Sequence, residues 1–293
     1  MDVKDFLEYL RVERNSSRLT IKAYGDDLRD FECYFKSLDD GMSWESVDSD
    51  VIRGWMVEMM DKGNSAVSVN RRLCALRSFY RFGLSHNLIT KDPTHGITGP
   101  KKKKPLPQFV RESEMDELLD EERWSNEYKD TLERTIILTF YSTGMRLSEL
   151  TGLDYVNVDF SNSQIKVLGK RNKERIIPFG EELNEVLLRY VQERNKKVLS
   201  ETKAFFLDEK GNRMTSSQVR YIVKKNLQKV CTLKKCTPHV LRHSFATAML
   251  NHNAEIESLK KLLGHQSLET TEIYTHTTFE QLKKIYSSAH PRA

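Results

Sequence analysis

Four short stretches in the second half of the chain hold polar side chains that could do chemistry on an anion. Thr143-Gly144-Met145-Arg146-Leu147-Ser148-Glu149-Leu150 places Arg146 and Glu149 three residues apart, as neighbours on a helix whose apolar positions are Leu147, Leu150 and Leu153. Lys170 closes the apolar run Ile165-Lys166-Val167-Leu168 at the start of a basic turn. Thr237-Pro238-His239-Val240-Leu241-Arg242-His243 reads as a helix start, with Thr237 as N-cap and Pro238 at the first helical position. His239 and Arg242 then share one face of the first turn, where free backbone N–H groups already favour an anion. Leu263-Gly264-His265 follows, and Tyr274 stands nine residues further on in Thr271-Glu272-Ile273-Tyr274-Thr275-His276. Each piece alone has an ordinary reading: a surface ion pair, a hydrogen-bonded structural histidine, a packed tyrosine. Together they offer two guanidiniums that can fork onto phosphate oxygens, a phenol that becomes a nucleophile on losing its proton, and imidazoles and an ammonium that can move that proton.

These groups need a scaffold, and the pattern of apolar residues supplies one in two parts. The first hundred residues read as helices. Ile21, Tyr24, Leu28, Phe31 and Phe35 follow a 3-4-3-4 spacing, while Val51, Ile52, Trp55, Met56, Met59 and Met60 pair up one turn apart as a core stripe. Val69, Leu73, Leu76 and Tyr80 define another helix, whose other faces carry Arg71, Arg72, Arg77 and Arg81, a candidate to lie across a DNA backbone or groove. Gly96 to Pro107, with three prolines and Lys101, Lys102, Lys103 and Lys104 in a row, reads as a linker whose lysines either are simply solvated or touch phosphates. Beyond it come helices near 112–121 and 131–142 and two β-rich runs, Ile165–Leu168 and Arg175–Phe179, joined as a hairpin with a basic tip. Further helices follow near 181–199 and 215–230 and from Pro238. The domains expected are therefore 1–95, a linker at 96–107, and 108–293.

With 293 residues, the chain is long enough for about two domains of roughly 150 residues each. Charged residues make up 30% and mean hydropathy is -0.59, yet 38% apolar residues with 13 Phe, 11 Tyr and 3 Trp exclude a disordered chain. No stretch approaches the roughly 18 apolar residues of a membrane helix, and the N-terminus lacks a signal-peptide profile, so a cytoplasmic protein without membrane contact is expected. Cys33, Cys74, Cys231 and Cys236 are scattered and read as reduced thiols. The net charge of +5 is unevenly spread: Lys62 to Lys91 and Lys210 to Ala254 contain no acid, which points to a polyanionic partner.

In this order, Arg146, Lys170, H-x-x-R, L-G-H and Tyr274 resemble the active site of the tyrosine recombinases, the phage integrase family. The resemblance spans the chain, and the length and the closing His290-Pro291-Arg292-Ala293 look most like its Xer branch. It implies a mainly α fold with a small β component. An all-helical, SAM-like N-terminal core-binding domain and an α+β catalytic domain would form a C-shaped clamp on DNA. It implies DNA cleavage and rejoining through a 3′-phosphotyrosyl link, with Tyr274 as nucleophile, Arg146 and Arg242 on the phosphate, His239 assisting the phenol and His265 donating to the same phosphate. Lys170 would protonate the leaving 5′-oxygen and Glu149 would orient its neighbours. Arg171 stands where the family's G-K-G-x-K hairpin tip has its second glycine. No metal or other cofactor is implied, and no G-x-x-x-x-G-K-[ST] phosphate loop is present. The implied partners are double-stranded DNA with two inverted half-sites, further subunits in a homotetramer or a heterotetramer with a second recombinase, and an FtsK-like translocase acting in chromosome dimer resolution. The apolar stripe Phe279, Leu282, Ile285 and Tyr286 lies on a helix too short to stand alone, whose ordinary reading is packing against its own domain; the resemblance implies that it docks on a neighbouring subunit.

Three other readings stand beside this one. A mobile-element integrase or invertase would use the same chemistry, although no residues are left over for the extra arm-binding domain that many carry. A metal-dependent nuclease would use His239 and His243, i and i+4 on a helix, with His265 or His276. No glutamate base lies between those two histidines, and Arg242 sets a positive charge beside the cation. A non-catalytic DNA-binding protein would not need the set from Arg146 to Tyr274.

Overall fold

The computed structural model describes residues 1–102, 108–169, 174–197, 202–264 and 279–293. The chain forms two compact units, Met1–Pro105 and Leu106–Ala293. Lys103, Lys104, Lys170, His265, Tyr274 and His276 lie outside the described residues.

The first unit is helical: α1 (Val3–Val12), α2 (Arg18–Leu38), α3 (Ser49–Asp61) and α4 (Ala66–Ser85). Each starts on a polar N-cap, Asp2, Ser17, Asp48 or Ser65, whose side chain accepts a first-turn N–H. The expected stripes turn inward, with Leu28, Phe31, Phe35, Ile52, Val69, Leu73, Leu76 and Tyr80 fully buried around Trp44 and Trp55. Met60 departs from its stripe and is 42% exposed; it is the penultimate residue of α3. Ile97 is also buried in this core.

The second unit is built around α6 (Tyr128–Thr143), which is buried throughout from Thr131 to its end. Thr135, Thr139 and Thr143 satisfy their hydroxyls by donating to the carbonyls four residues earlier, which lets a polar face run through the core. Around it lie α5 (Glu112–Leu119), α7 (Leu147–Thr151), α8 (Glu181–Lys197), α9 (Ser216–Leu227), α10 (Pro238–Asn251), α11 (Ile256–Leu263) and α12 (Phe279–Ala289). A three-stranded antiparallel sheet runs β1 (Val158–Asp159), β2 (Gln164–Leu168), β3 (Glu174–Pro178) in that order. β1, only two residues long, has no alternation to detect in the sequence. Leu153, expected on the helix of Arg146, falls past the end of α7 and is buried in the core.

The helix after the tyrosine segment packs on its own unit. Tyr286 and Ala289, with Leu282 and Ile285, close a small apolar cluster with Phe245, Met249, Leu259, Leu262 and Leu263 from α10 and α11. His290 stacks between Phe245 and Tyr286, with its Nε2 on the Tyr141 carbonyl at 3.2 Å. Leu282, Ile285 and Tyr286 of the stripe expected on a neighbouring subunit are thus covered within one chain. An 11-residue helix is marginal on its own, and this one packs against α10, α11 and β3.

Candidate active site

Two helix ends and one strand bring the polar groups together. α6 stops at Gly144, which takes a left-handed conformation (φ 57°); a Cβ there would lie 2.4 Å from the Phe245 ring. Two residues later Arg146 is the N-cap of α7, and Glu149, in the first turn, accepts the Arg146 backbone N–H at 2.6 Å and its Nη1 at 2.9 Å. α11 stops in the same way at Gly264 (φ 62°). The last carbonyls of a helix have no partner within it and carry the negative end of its dipole, so they attract cations.

Those carbonyls hold three guanidiniums. Arg146 Nη2 donates to Gly264 O at 2.9 Å, Arg242 Nη2 to Leu263 O at 2.6 Å, and Arg175 Nε to Leu262 O at 3.1 Å. Arg242 Nη1 also caps α6 through Gly144 O at 2.6 Å. Arg175 closes the arrangement by forking onto both oxygens of Glu149, at 2.5 and 2.9 Å. The Glu149 side chain is 1% exposed. Burial alone would raise its pKa, but the hydrogen bonds from Arg175 and the Arg146 backbone outweigh that and hold it below the usual carboxylate value. Burial, followed by repulsion from Arg146 and Arg175, lowers Arg242 to about 10, so it stays charged at neutral pH.

His239 lies exposed on the first turn of α10, with Thr237 as N-cap and Pro238 at the first position as expected. Thr237 makes no side-chain capping bond. The imidazole pKa is lowered, first by partial burial and then by the charges of Arg242, His243, Arg220 and Arg146. It is therefore neutral at physiological pH and able to accept a proton. No group of three His, Cys, Asp or Glu side chains is placed to hold a metal among the described residues. No described helix is long and apolar enough to cross a membrane.

The structure thus gathers Arg146, Glu149, Arg242 and His239, and α11 leads directly to position 265. Two further residues join them. Arg175 had a visible signal in the sequence, since it alternates with Ile177 and Phe179, both buried, and so puts a charge on the inward face of β3. Arg220 on α9 is exposed, and its charge acts on His239.

On the basic helix of the first unit, three of the four arginines have partners within the protein. Arg71 forks onto Asp27 and Arg72 pairs with Asp30, both on α2, while Arg77 donates to Ile97 O. Arg81 is exposed, as are Lys101 and Lys102. In the second acid-free stretch, Lys225 pairs with Glu133 and Arg213 with Asp154. Arg220, Lys224, Lys234 and Lys235 stay exposed and form no ion pair among the described residues.

Comparison with known proteins agrees with this architecture. Residues 108–281 match the phage integrase family and residues 3–87 its N-terminal SAM-like domain. The chain belongs to the phage integrase family. Tyrosine recombinase XerC of Pelotomaculum thermopropionicum is 36% identical, and tyrosine recombinase XerD of Oceanobacillus iheyensis 32% identical, each over 99% of this chain and 98% of the relative. The crystal structure of the XerH site-specific recombinase bound to palindromic difH has the same fold, with a TM-score of 0.71 at 22% identity over 98% of this chain and 84% of that one. Within the family, these full-length relatives place the chain among the Xer tyrosine recombinases.

Proposed function

We propose that this enzyme cuts and rejoins double-stranded DNA at a site of two inverted half-sites, in the manner of Xer recombinases that resolve chromosome dimers in the cytoplasm. The observation that carries the reading is the convergence of Arg146 and Arg242 on the end of α11, ahead of His265 and Tyr274. Each guanidinium spends only part of its five donors on Glu149 and the helix carbonyls, and the rest can take the non-bridging oxygens of a phosphate. The Tyr274 oxygen attacks phosphorus, its proton passing to neutral His239 or a phosphate oxygen. The phosphorus–O5′ bond breaks, and Lys170 protonates the departing oxygen. His265 donates to the same phosphate, and Glu149 orients the arginines. The phosphotyrosyl bond stores the energy for rejoining, so neither ATP nor a cofactor takes part.

Residues 1–95 form the core-binding domain, 96–107 the linker, whose start packs on that domain through Ile97, and 108–293 the catalytic domain. DNA contacts come from exposed Arg81, Lys101 and Lys102, with Lys103 and Lys104 beside them in sequence, and from Arg71, Arg72 and Arg77 to the extent that their acidic or carbonyl partners yield them. Four subunits, alike or paired with a second recombinase, assemble on the DNA, and an FtsK-like translocase controls them. α12 leaves its own unit on assembly and remakes the same apolar contacts on a neighbour, which couples assembly to the nearby Tyr274. On a nicked suicide substrate the protein forms a DNA adduct stable to denaturing electrophoresis, and Tyr274→Phe binds the DNA without forming it. An adduct of equal yield from Tyr274→Phe refutes the assignment.

A further inference from the structure

We propose that Arg175 is a positioning residue for the acid that protonates the leaving oxygen, pinning the base of the lysine hairpin to Glu149 and to the end of α11. The proposal rests on the recombinase reading above, in which a hairpin lysine is that acid.

Arg175 is the second residue of β3, opposite Val167 of β2, and the adjacent pair Leu168–Glu174 is the last before the tip that carries Lys170 and Lys173. Its guanidinium makes three bonds in different directions, two to the Glu149 carboxylate and one to Leu262 O. A planar fork held in this way fixes the side chain and, through it, the strand at the mouth of the hairpin. Position 170 is only two residues from Leu168, so its reach is set by where that mouth lies. Glu149 also holds Arg146, and the three carbonyls gripped by Arg175, Arg242 and Arg146 are consecutive, Leu262, Leu263 and Gly264. One carboxylate and one helix end therefore set the hairpin in register with both phosphate-binding arginines.

A role confined to stability accounts poorly for this choice of residue. The side chain is 14% exposed, and its charge opposes that of Arg242. Buried ion pairs are often no more stabilising than apolar side chains of similar volume, so a third guanidinium crowded against two others is an inefficient way to hold a strand. What it offers is direction: a fork matched to a carboxylate, on the strand that leads out of the tip.

The test compares normal suicide DNA with DNA whose scissile 5′-bridging oxygen is replaced by sulfur. Sulfur leaves as a thiolate and needs no proton, so a defect in proton donation disappears on it while a defect in phosphate binding or attack remains. Full-length Arg175→Met is expected to bind duplex half-sites like wild type and to cleave the oxygen substrate on the order of 100-fold more slowly, the scale set by misplacing a catalytic group. Most of that loss should vanish on the sulfur substrate, in parallel with Lys170→Ala or, if the acid is its neighbour in the tip, Lys173→Ala. Arg175→Lys keeps a donor and should fall between, and it serves in place of Arg175→Met if the latter does not bind DNA. If an Arg175 variant loses equally on both substrates while a lysine variant is relieved, the inference falls and the recombinase reading stands. If neither lysine variant is relieved, the acid role itself fails and the inference with it. Full activity of Arg175→Met on the oxygen substrate also overturns it.

Discussion

Glu149→Gln removes one negative charge and almost no volume, which makes it the sharpest probe of the arginine cluster. The carboxylate receives the Arg146 backbone, Arg146 Nη1 and both Nη atoms of Arg175. Its glutamine replacement has one acceptor oxygen, and its amide nitrogen must face a donor from one of the arginines. A buried ion pair broken by removing one partner costs about 3–5 kcal/mol, because the remaining charge stays buried without compensation. That is a large share of a typical total stability of roughly 5–15 kcal/mol. At about 2–4 °C per kcal/mol for a unit of this size, calorimetry should show Tm lowered by roughly 10 °C. Arg175→Met in the same chain removes one of the stranded charges, so the double variant should lose clearly less than the sum of the two single losses. Cleavage should fall in Glu149→Gln as well, because Arg146 loses the partner that orients it. A Tm within about 2 °C of wild type, or strict additivity in the double variant, would refute the view that this carboxylate holds the cluster together.

Two other expectations are independent of that one. In the proposed mechanism guanidiniums supply the positive charge at the phosphate, so cleavage should continue in excess EDTA, whereas Arg146→Ala or Arg242→Ala should cost about 3–4 kcal/mol of transition-state stabilisation; activity lost in EDTA and restored by zinc would contradict this. His290 is buried, which pulls its pKa down to about 4 against the hydrogen bond to the Tyr141 carbonyl. Its native value lies below the unfolded one near 6.5, so the stability it contributes is complete above about pH 6.5 and is lost as pH falls toward 4, by about 3 kcal/mol in all. Urea midpoints at pH 7 and pH 4.5 should therefore differ more for wild type than for His290→Phe; an equal difference would show that His290 does not titrate in this way.

What the chain determines by itself is local. The 3-4 spacing from Ile21 to Phe35, the polar N-caps, Pro238 at the head of α10 and the alternation around Ile165 and Ile177 each depend on neighbours within a turn or a hairpin, so the elements and the order of the site motifs were legible. The amphipathic stripe of α12 was legible too, but the surface it meets was not. The charge distribution was legible only in part for the same reason: the stretch from Lys62 to Lys91 has no acid in sequence, yet the fold brings Asp27 and Asp30 from α2 against Arg71 and Arg72. The arginine cluster is the strongest case. Glu149 and Arg175 are 26 residues apart, and Arg146 and Gly264 118. No spacing rule connects them, because what joins them is the need of two helix ends for donors and of one buried carboxylate for cations, and that need exists only once the helices have packed.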